Sequence, residues 1–236
     1  MPQPKSPQFD WLLFDADDTL FDFPKAERGA LKDVFRALDV AESEENLALY
    51  FDINRQLWLE LERGGVTAAE VKVERFKRLF LELGVEAEPA HWADEYLVKL
   101  ADHGELLPGA LELLEAVKGQ GLPMAIVTNG MSLSQRKRIA AANLDQYFEF
   151  LVISEEVGSA KPDEAIFAEC WQQMDYSGDK ARVLMIGDRI ETDIIGGARF
   201  GFKTCWYNSD NKANNSQCSP DFEVSHLLDI LPLVQG

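Results

Sequence analysis

Three short apolar runs, each ending abruptly in chemically reactive residues, constrain this chain more than any other feature. Trp11-Leu12-Leu13-Phe14 runs into Asp15-Ala16-Asp17-Asp18-Thr19-Leu20, Met124-Ala125-Ile126-Val127 into Thr128-Asn129-Gly130, and Val183-Leu184-Met185-Ile186 into Gly187-Asp188, with Asp193 five residues on. Short apolar runs bounded by turn-type residues read as strands buried on both faces, which is the signature of a parallel sheet. In an open α/β sheet the residues just past the carboxyl ends of the strands share one crevice. The acids, Thr128 and Asn129 are therefore expected to meet at one spot, with Lys161-Pro162 as a fourth contributor. Such a set suits a divalent cation and a phosphate held together.

Further apolar runs lie at 150–153 and 203–206, and helix-like segments such as Ser132 to Ala142 and Pro162 to Met174 fall between the later runs. That βα alternation predicts a parallel, doubly wound sheet with helices on its faces. The stretch between the first and second runs is far longer than one crossover helix needs. Everything in it reads as helix. Leu31, Val34, Phe35 and Leu38 follow i, i+3, i+4, i+7 spacing behind Pro24, a residue suited to a helix start. Thr67-Ala68-Ala69-Glu70 has the capping-box pattern ahead of Val73, Phe76, Leu79 and Phe80. Asn46 to Glu62 and Pro89 to Ala101 supply two more amphipathic segments. The expected organisation is a core of residues 1–21 and 106–236 and a four-helix cap of residues 22–105, inserted after the first strand. The cap leaves and re-enters near Asp22 and Leu106-Leu107-Pro108-Gly109, above the first strand's carboxyl end, where it can exclude water from a reaction. There is no internal repeat and no low-complexity tract, and Asn208 to Ser219 reads as a surface loop.

A formal net charge of -18 argues against nucleic-acid polymers and anionic membranes as partners, since both need basic surface. Any anionic substrate must then be held by a local positive cluster and a bound metal. No stretch approaches the roughly 20 apolar residues of a membrane span. Met1 to Gln8 is Pro-rich and polar without an apolar h-region, so no secretory signal is expected. Cys170, Cys205 and Cys218 are odd in number and lack metal-ligand spacing, which fits reduced thiols and a cytoplasmic location.

Asp15 and Asp17 repel one another unless a cation or a shared proton intervenes. Mg²⁺, which favours carboxylate and phosphate oxygens and keeps several waters, is the fitting partner. A calcium loop of EF-hand type is excluded, because its required Gly would fall at Leu20 and its bidentate Glu at Ala26. Asp188 is placed to ligate the metal, and Asp193, in the opening turn of a Gly-rich helix, to cap or support the site. Thr128 and Asn129 offer a hydroxyl, an amide and backbone N–H groups to phosphate oxygens; the Lys161 ammonium can neutralise carboxylate and phosphate together. Singly each has a plainer role as a cap, a turn or a solvated side chain. Jointly, in this order and at these strand ends, they point to phosphoryl chemistry. Gly196-Gly197-Ala198-Arg199-Phe200-Gly201 is not a dinucleotide fingerprint, no Walker A sequence is present, and His91, His103 and His226 are expected to face solvent.

Asp15-x-Asp17-x-Thr19, Thr128-Asn129, Lys161-Pro162 and Gly187-Asp188 with Asp193 are similar, in order, to the four motifs of the haloacid dehalogenase superfamily of aspartyl phosphotransferases. Phe14 to Phe21, Asn54-Arg55-Gln56-Leu57-Trp58 and Leu151 to Gly158 further resemble the bacterial pyrimidine 5′-nucleotidases of that superfamily. The resemblance implies a Rossmann-like core of strand order 3-2-1-4-5 with a helical cap. It also implies Mg²⁺-dependent hydrolysis of a small phosphate monoester, with Asp15 as nucleophile and Asp17 as general acid/base. Asp15, Asp188 and the backbone carbonyl of Asp17 would hold the metal; Thr128 and Lys161 would hold phosphoryl oxygens, with Asn129 placing the loop and Asp193 orienting Lys161 or a metal-bound water. In the cap, Asn54 and Trp58 share a helix face at i, i+4. Trp58 could stack on a pyrimidine while Asn54 reads its edge; alternatively Trp58, Phe51 and Trp92 form the cap's core. No Arg cluster suggests a second phosphate, so a monophosphate is favoured, and the protein would act as a monomer or homodimer. A phosphatase of sugar phosphates or phosphoglycolate is the nearest rival. A haloacid dehalogenase needs neither metal nor second acid, so Asp17 speaks against it, and the intact acidic set speaks against a non-catalytic metal-binding module.

Overall fold

A computed structural model of the protein describes residues 8–234; the N-terminal stretch read above for a secretory signal lies, but for Gln8, outside the described residues. The sheet has six parallel strands: β1 (Trp11–Phe14), β2 (Met124–Thr128), β3 (Phe150–Ile153), β4 (Val183–Gly187), β5 (Lys203–Tyr207) and β6 (Phe222–Val224). Their order is β3-β2-β1-β4-β5-β6. The five expected strands take the expected order, and β6 extends the edge beyond them. Three residues with a charged centre, Phe222-Glu223-Val224, are too short and too mixed to stand out as an apolar run.

Strand β1 is central because all four of its residues are apolar and it pairs on both sides. Phe14 is in register with Ile126 of β2 and with Ile186 of β4. Asp15, Thr128 and Asp188 consequently leave the sheet within a residue or two of one level. Helices cover both faces. Leu12, Phe14, Ile126 and Ile186 pack against Leu113, Leu114 and Val117 of the helix Ala110–Gly119. Leu13, Val127 and Met185 pack on the opposite face against Ile166, Phe167 and Cys170 of the helix Glu164–Gln173.

Between β1 and the rest of the sheet the chain forms four helices: α1 (Phe23–Ala37), α2 (Glu44–Glu62), α3 (Ala68–Leu83) and α4 (Pro89–Asp102). Each start has a local cause. Asp22 accepts from the Lys25 amide ahead of α1, Ser43 caps α2, Thr67 and Glu70 form a reciprocal capping box at α3, and Pro89 begins α4. These helices share a hydrophobic core of their own that includes Leu31, Phe35, Tyr50, Leu57, Phe76 and Leu79. The buried face of α3 is Val71, Arg75, Phe76, Leu79 and Phe80, so a charged residue takes the place that periodicity gives to Val73. The two chain passages between helices and sheet run side by side: Phe21 bridges Leu106, and the Asp22 amide donates to the Glu105 carbonyl at 2.9 Å. Helix α4 packs in turn on a core helix, Ser132–Ala141.

His103 departs from its expected exposure. Its ring is half-buried and bonded to Asp33 at 2.9 Å, tying α4 to α1, whereas His91 and His226 are exposed. The 208–219 segment has no regular structure, but it is pinned at its root by Asn208, which bonds Lys212 and Glu223. Among the described residues no helix is long and apolar enough to cross a membrane.

Gly196, in the helix Ile195–Phe200, is required by close packing. A Cβ there would lie 2.6 Å from the Phe167 ring and 3.0 Å from the Pro162 Cα. Gly196→Ala is expected to destabilise the fold by about 1–3 kcal/mol through overpacking. Gly119→Ala, where a Cβ meets nothing within 4 Å, is expected to be neutral or to add up to about 1 kcal/mol. Urea unfolding of the two variants beside the wild-type chain measures both.

Candidate active site

The site is built on one ammonium group. Lys161 is 3% exposed, and its Nζ donates to Asp15 Oδ1 at 2.6 Å and to the Val127 carbonyl at 2.8 Å. The same nitrogen lies 2.7 Å from Asp193 Oδ1. Burial works against its charge, but Asp15 and Asp193 more than offset that and hold the ammonium above the ordinary lysine range. The lysine backbone is fixed separately. Asn129 donates through Nδ2 to the Lys161 carbonyl at 2.9 Å and accepts from the Lys161 amide at 2.7 Å through Oδ1. The Asn129 side chain is thus committed to holding the lysine loop, and its own carbonyl accepts from Ser154.

Asp15 leaves β1 with its amide bonded to the Ile186 carbonyl at 2.9 Å. The turn after it is tight: Leu20 and Phe21 both donate to the Ala16 carbonyl, and Asp18 adopts a left-handed conformation at φ 61°. Asp residues tolerate that region better than most. The turn carries the Asp17 side chain back toward the core helix Ser132–Ala141, where Gln135 Nε2 donates to Asp17 Oδ2 at 2.6 Å and Arg138 pairs with Oδ1. Thr128, at the end of β2, is 1% exposed, and its hydroxyl accepts from the Gly130 amide at 3.0 Å.

Asp188 follows β4, and its carbonyl accepts from the Trp206 indole at 2.8 Å. A single π-helical turn, Ile190–Ile194, then folds Asp193 back under the lysine, where it also accepts from the Arg189 amide at 3.0 Å. Gly187 makes that return possible, because a Cβ there would fall 2.2 Å from Asp193 Oδ2.

Oxygen atoms of Asp15, Asp188 and Asp193 all lie within 4.8 Å of one another. Burial, then the neighbouring Asp193 and Asp15, push the Asp188 carboxyl up to about 9. Burial raises Asp15 to about 7 against the pull of Lys161, and burial with Asp17 beside it raises Asp18 to about 6. Carboxyls that resist ionisation at this spacing lack positive charge, and one lysine does not supply it. A hard divalent cation on Asp15 and Asp188 fits both the spacing and the deficit.

These groups floor a cavity of about 680 Å³ whose far wall comes from the inserted helices, chiefly Phe23, Trp58, Leu61, Leu97 and Leu100, and from Val66 between α2 and α3. Trp58 is half-buried, contributing to that wall while packing on the helices' own core. Asn54 is 5% exposed and stands behind the wall, donating to Glu27 at 2.7 Å and accepting from Arg75 at 3.5 Å. Arg75 itself contributes to the wall. Burial raises the Glu27 carboxyl to about 7, against the pull of Arg75. Sequence reasoning passed over Gln135, Arg138, Glu27 and Arg75. Only one signal could have found the first two: polar residues three apart, one turn into the helix after Thr128-Asn129-Gly130.

The chain is 36% identical to pyrimidine 5′-nucleotidase YjjG of Escherichia coli over 227 residues, covering 96% of this chain and 98% of that one. It is 35% identical to pyrimidine 5′-nucleotidase PynA of Streptococcus pneumoniae over 223 residues, 94% of each. The crystal structure of YfnB from Bacillus subtilis, bound to magnesium, superposes with a TM-score of 0.89 at 33% identity, covering 97% of this chain and 99% of that one. Residues 9–201, which carry every acid and the lysine described above, match the haloacid dehalogenase-like hydrolases, and the chain belongs to that family.

Proposed function

We propose that this protein is a Mg²⁺-dependent phosphomonoesterase that hydrolyses pyrimidine nucleoside 5′-monophosphates through an aspartyl-phosphate on Asp15. The observation that carries the reading is the two-ended cavity: acids and one lysine on its floor, a mostly apolar wall with Trp58 above. A phosphate at the floor leaves a flat ring against the wall, and the likeness to YjjG and PynA supplies the nucleotide class. Residues 22–105 act as the cap that closes over the bound ligand. Trp58 is the face on which the base stacks, and Asn54 supports that wall from behind through Glu27 and Arg75.

In the first step an Asp15 carboxylate oxygen bonds to phosphorus as the bond from phosphorus to the ribose oxygen breaks, and Asp17 gives that oxygen a proton. In the second, Asp17 takes a proton from water as the water oxygen attacks phosphorus and the Asp15 bond breaks, releasing inorganic phosphate. Splitting one displacement into two is the benefit of a covalent route, and acid/base help of this kind is typically worth about 10²–10⁴-fold. Thr128 donates to a phosphoryl oxygen, and Lys161 turns the donor it gives Asp15 to the phosphoryl group as the ester forms and Asp15 loses its charge; Asn129 keeps Lys161 in place, and Asp193 orients it. Asp15, Asp188 and the Asp17 carbonyl would hold Mg²⁺, which supplies charge neutralisation between carboxylate and phosphate when bound.

Phosphate release from a panel of nucleoside monophosphates and sugar phosphates, with Mg²⁺ and with EDTA, tests the reading. Metal-dependent release is expected to favour UMP, dUMP and TMP and to fall to background in Asp15→Asn. Release mainly from sugar phosphates would retain the chemistry and remove the substrate.

The raised carboxyls give a second test. Their folded pKa values, about 9 for Asp188 and about 7 for Asp15, lie above the ordinary carboxylate range. The stability they contribute is full at acid pH and is lost as pH rises through about 7 and then about 9. In EDTA the melting temperature should therefore fall between pH 6 and pH 9. Saturating Mg²⁺ should remove that slope, adding about 2.7 kcal/mol at a hundred times its Kd. Asp188→Asn should flatten the EDTA profile and abolish the Mg²⁺ gain, as read by thermal melts.

A further inference from the structure

Asp17 is held by two side chains from outside the strand-end motifs. Its Oδ2 accepts from Gln135 Nε2 at 2.6 Å and its Oδ1 pairs with Arg138 Nη2. Gln135 and Arg138 lie on one face of the helix Ser132–Ala141, which starts directly after the Thr128-Asn129-Gly130 loop, and neither has any solvent exposure. The Arg138 guanidinium lies over the rings of Phe21, at 4.9 Å, and Phe23, at 5.8 Å, in the passage from sheet to inserted helices.

Three observations set this pair apart from ordinary packing. Arg138 Nε and Nη1 and Gln135 Oε1 are buried without a hydrogen-bond partner, a costly arrangement that an apolar residue of similar volume would avoid. What the two residues do bond through their terminal nitrogens is the Asp17 carboxylate, one oxygen each. Gly130 supplies the third: its φ is not in the left-handed region, yet a Cβ there would fall 2.0 Å from Gln135 Nε2. The loop is therefore glycine at 130 to leave space for the very atom that reaches Asp17.

We propose that Gln135 and Arg138 are positioning residues that clamp the Asp17 carboxyl group, each bonding one oxygen and leaving a second lone pair for the proton that Asp17 passes to the leaving oxygen. The proposal rests on the reading of Asp17 as the acid/base and adds what holds it. A carboxylate on two rotatable bonds, with its side chain 24% exposed, otherwise samples several orientations. Loss of alignment by about 1 Å can cost on the order of 10²-fold in rate.

The test separates leaving groups that need a proton from those that do not. First-turnover release is followed by rapid quench for a pyrimidine nucleoside monophosphate, whose alkoxide must be protonated, and for p-nitrophenyl phosphate, whose phenolate departs without one. Gln135→Met and Arg138→Leu are expected to slow nucleoside release by about 10–100-fold. They should leave p-nitrophenolate release within about 3-fold of wild type, the scale expected when proton transfer to the leaving group is not needed. Arg138→Lys should recover part of the loss. In an Asp17→Asn background, Gln135→Met should cost nothing further, because the residue acts only through Asp17. If Arg138→Leu fails to fold, as a thermal melt will reveal, Gln135→Met, which preserves length and volume, gives the same answer. Equal losses on both substrates, or a full additional loss in the Asp17→Asn background, would overturn the clamp and leave the phosphatase reading standing. No turnover of either substrate by the wild-type chain would overturn both.

Discussion

Everything at the strand ends is arranged around the Lys161 ammonium. It sits between Asp15 and Asp193 and completes its three bonds on the Val127 carbonyl, so its position is determined by β1, by β2 and by the turn after β4 at once. A buried cation with all its donors used is rigid, and a carboxylate paired to it is aimed as well as neutralised. The arrangement also explains the commitments around it. Asn129 gives both ends of its amide to the Lys161 backbone, and the π-helical turn at 190–194 brings Asp193 underneath. Removing the lysine would leave a cluster of acids with no compensating charge, which a low-dielectric site does not tolerate.

The same electrostatics reconcile an overall charge of -18 with an anionic ligand. Long-range repulsion is screened within about 8–10 Å at physiological ionic strength. In the proposed function, what acts on a phosphate at the floor is local: one lysine and the cation that the raised Asp15 and Asp188 carboxyls call for. The charged groups are thereby confined to one end of the cavity, and the other end is mostly apolar.

Most of the floor was legible because β1, β2 and β4 are built on uninterrupted apolar runs and Asp15, Thr128-Asn129 and Asp188 stand at their ends, so strand direction places that chemistry. Most of what was illegible has one cause, polar side chains whose partners are remote in sequence. Arg75 occupies a buried helix face because Glu27 and Asn54, distant in the chain, surround it; periodicity counts it as solvent-facing and puts Val73 inside. Asn54 reads as a reader of ligand edges until those two partners are known. His103 is half-buried by a bond to Asp33 across 70 positions, and Gln135 reaches Asp17 across 118. β6 was missed for a different reason: three residues at a sheet edge need only one buried side chain, and Val224 alone carries no pattern.

Gly187 has a consequence beyond its own position. Its backbone is ordinary, so it is not glycine for the sake of conformation; the missing Cβ is the space that the Asp193 carboxylate occupies. The two residues therefore form one steric unit, and Gly187 cannot gain a side chain while the Asp193 carboxylate keeps its place. A larger residue at 187 would require a retreat at 193, and that retreat would withdraw one of the two carboxylates that keep Lys161 charged. Glycine at 187 thus helps to hold Lys161 through the space it leaves empty and not through any atom it supplies.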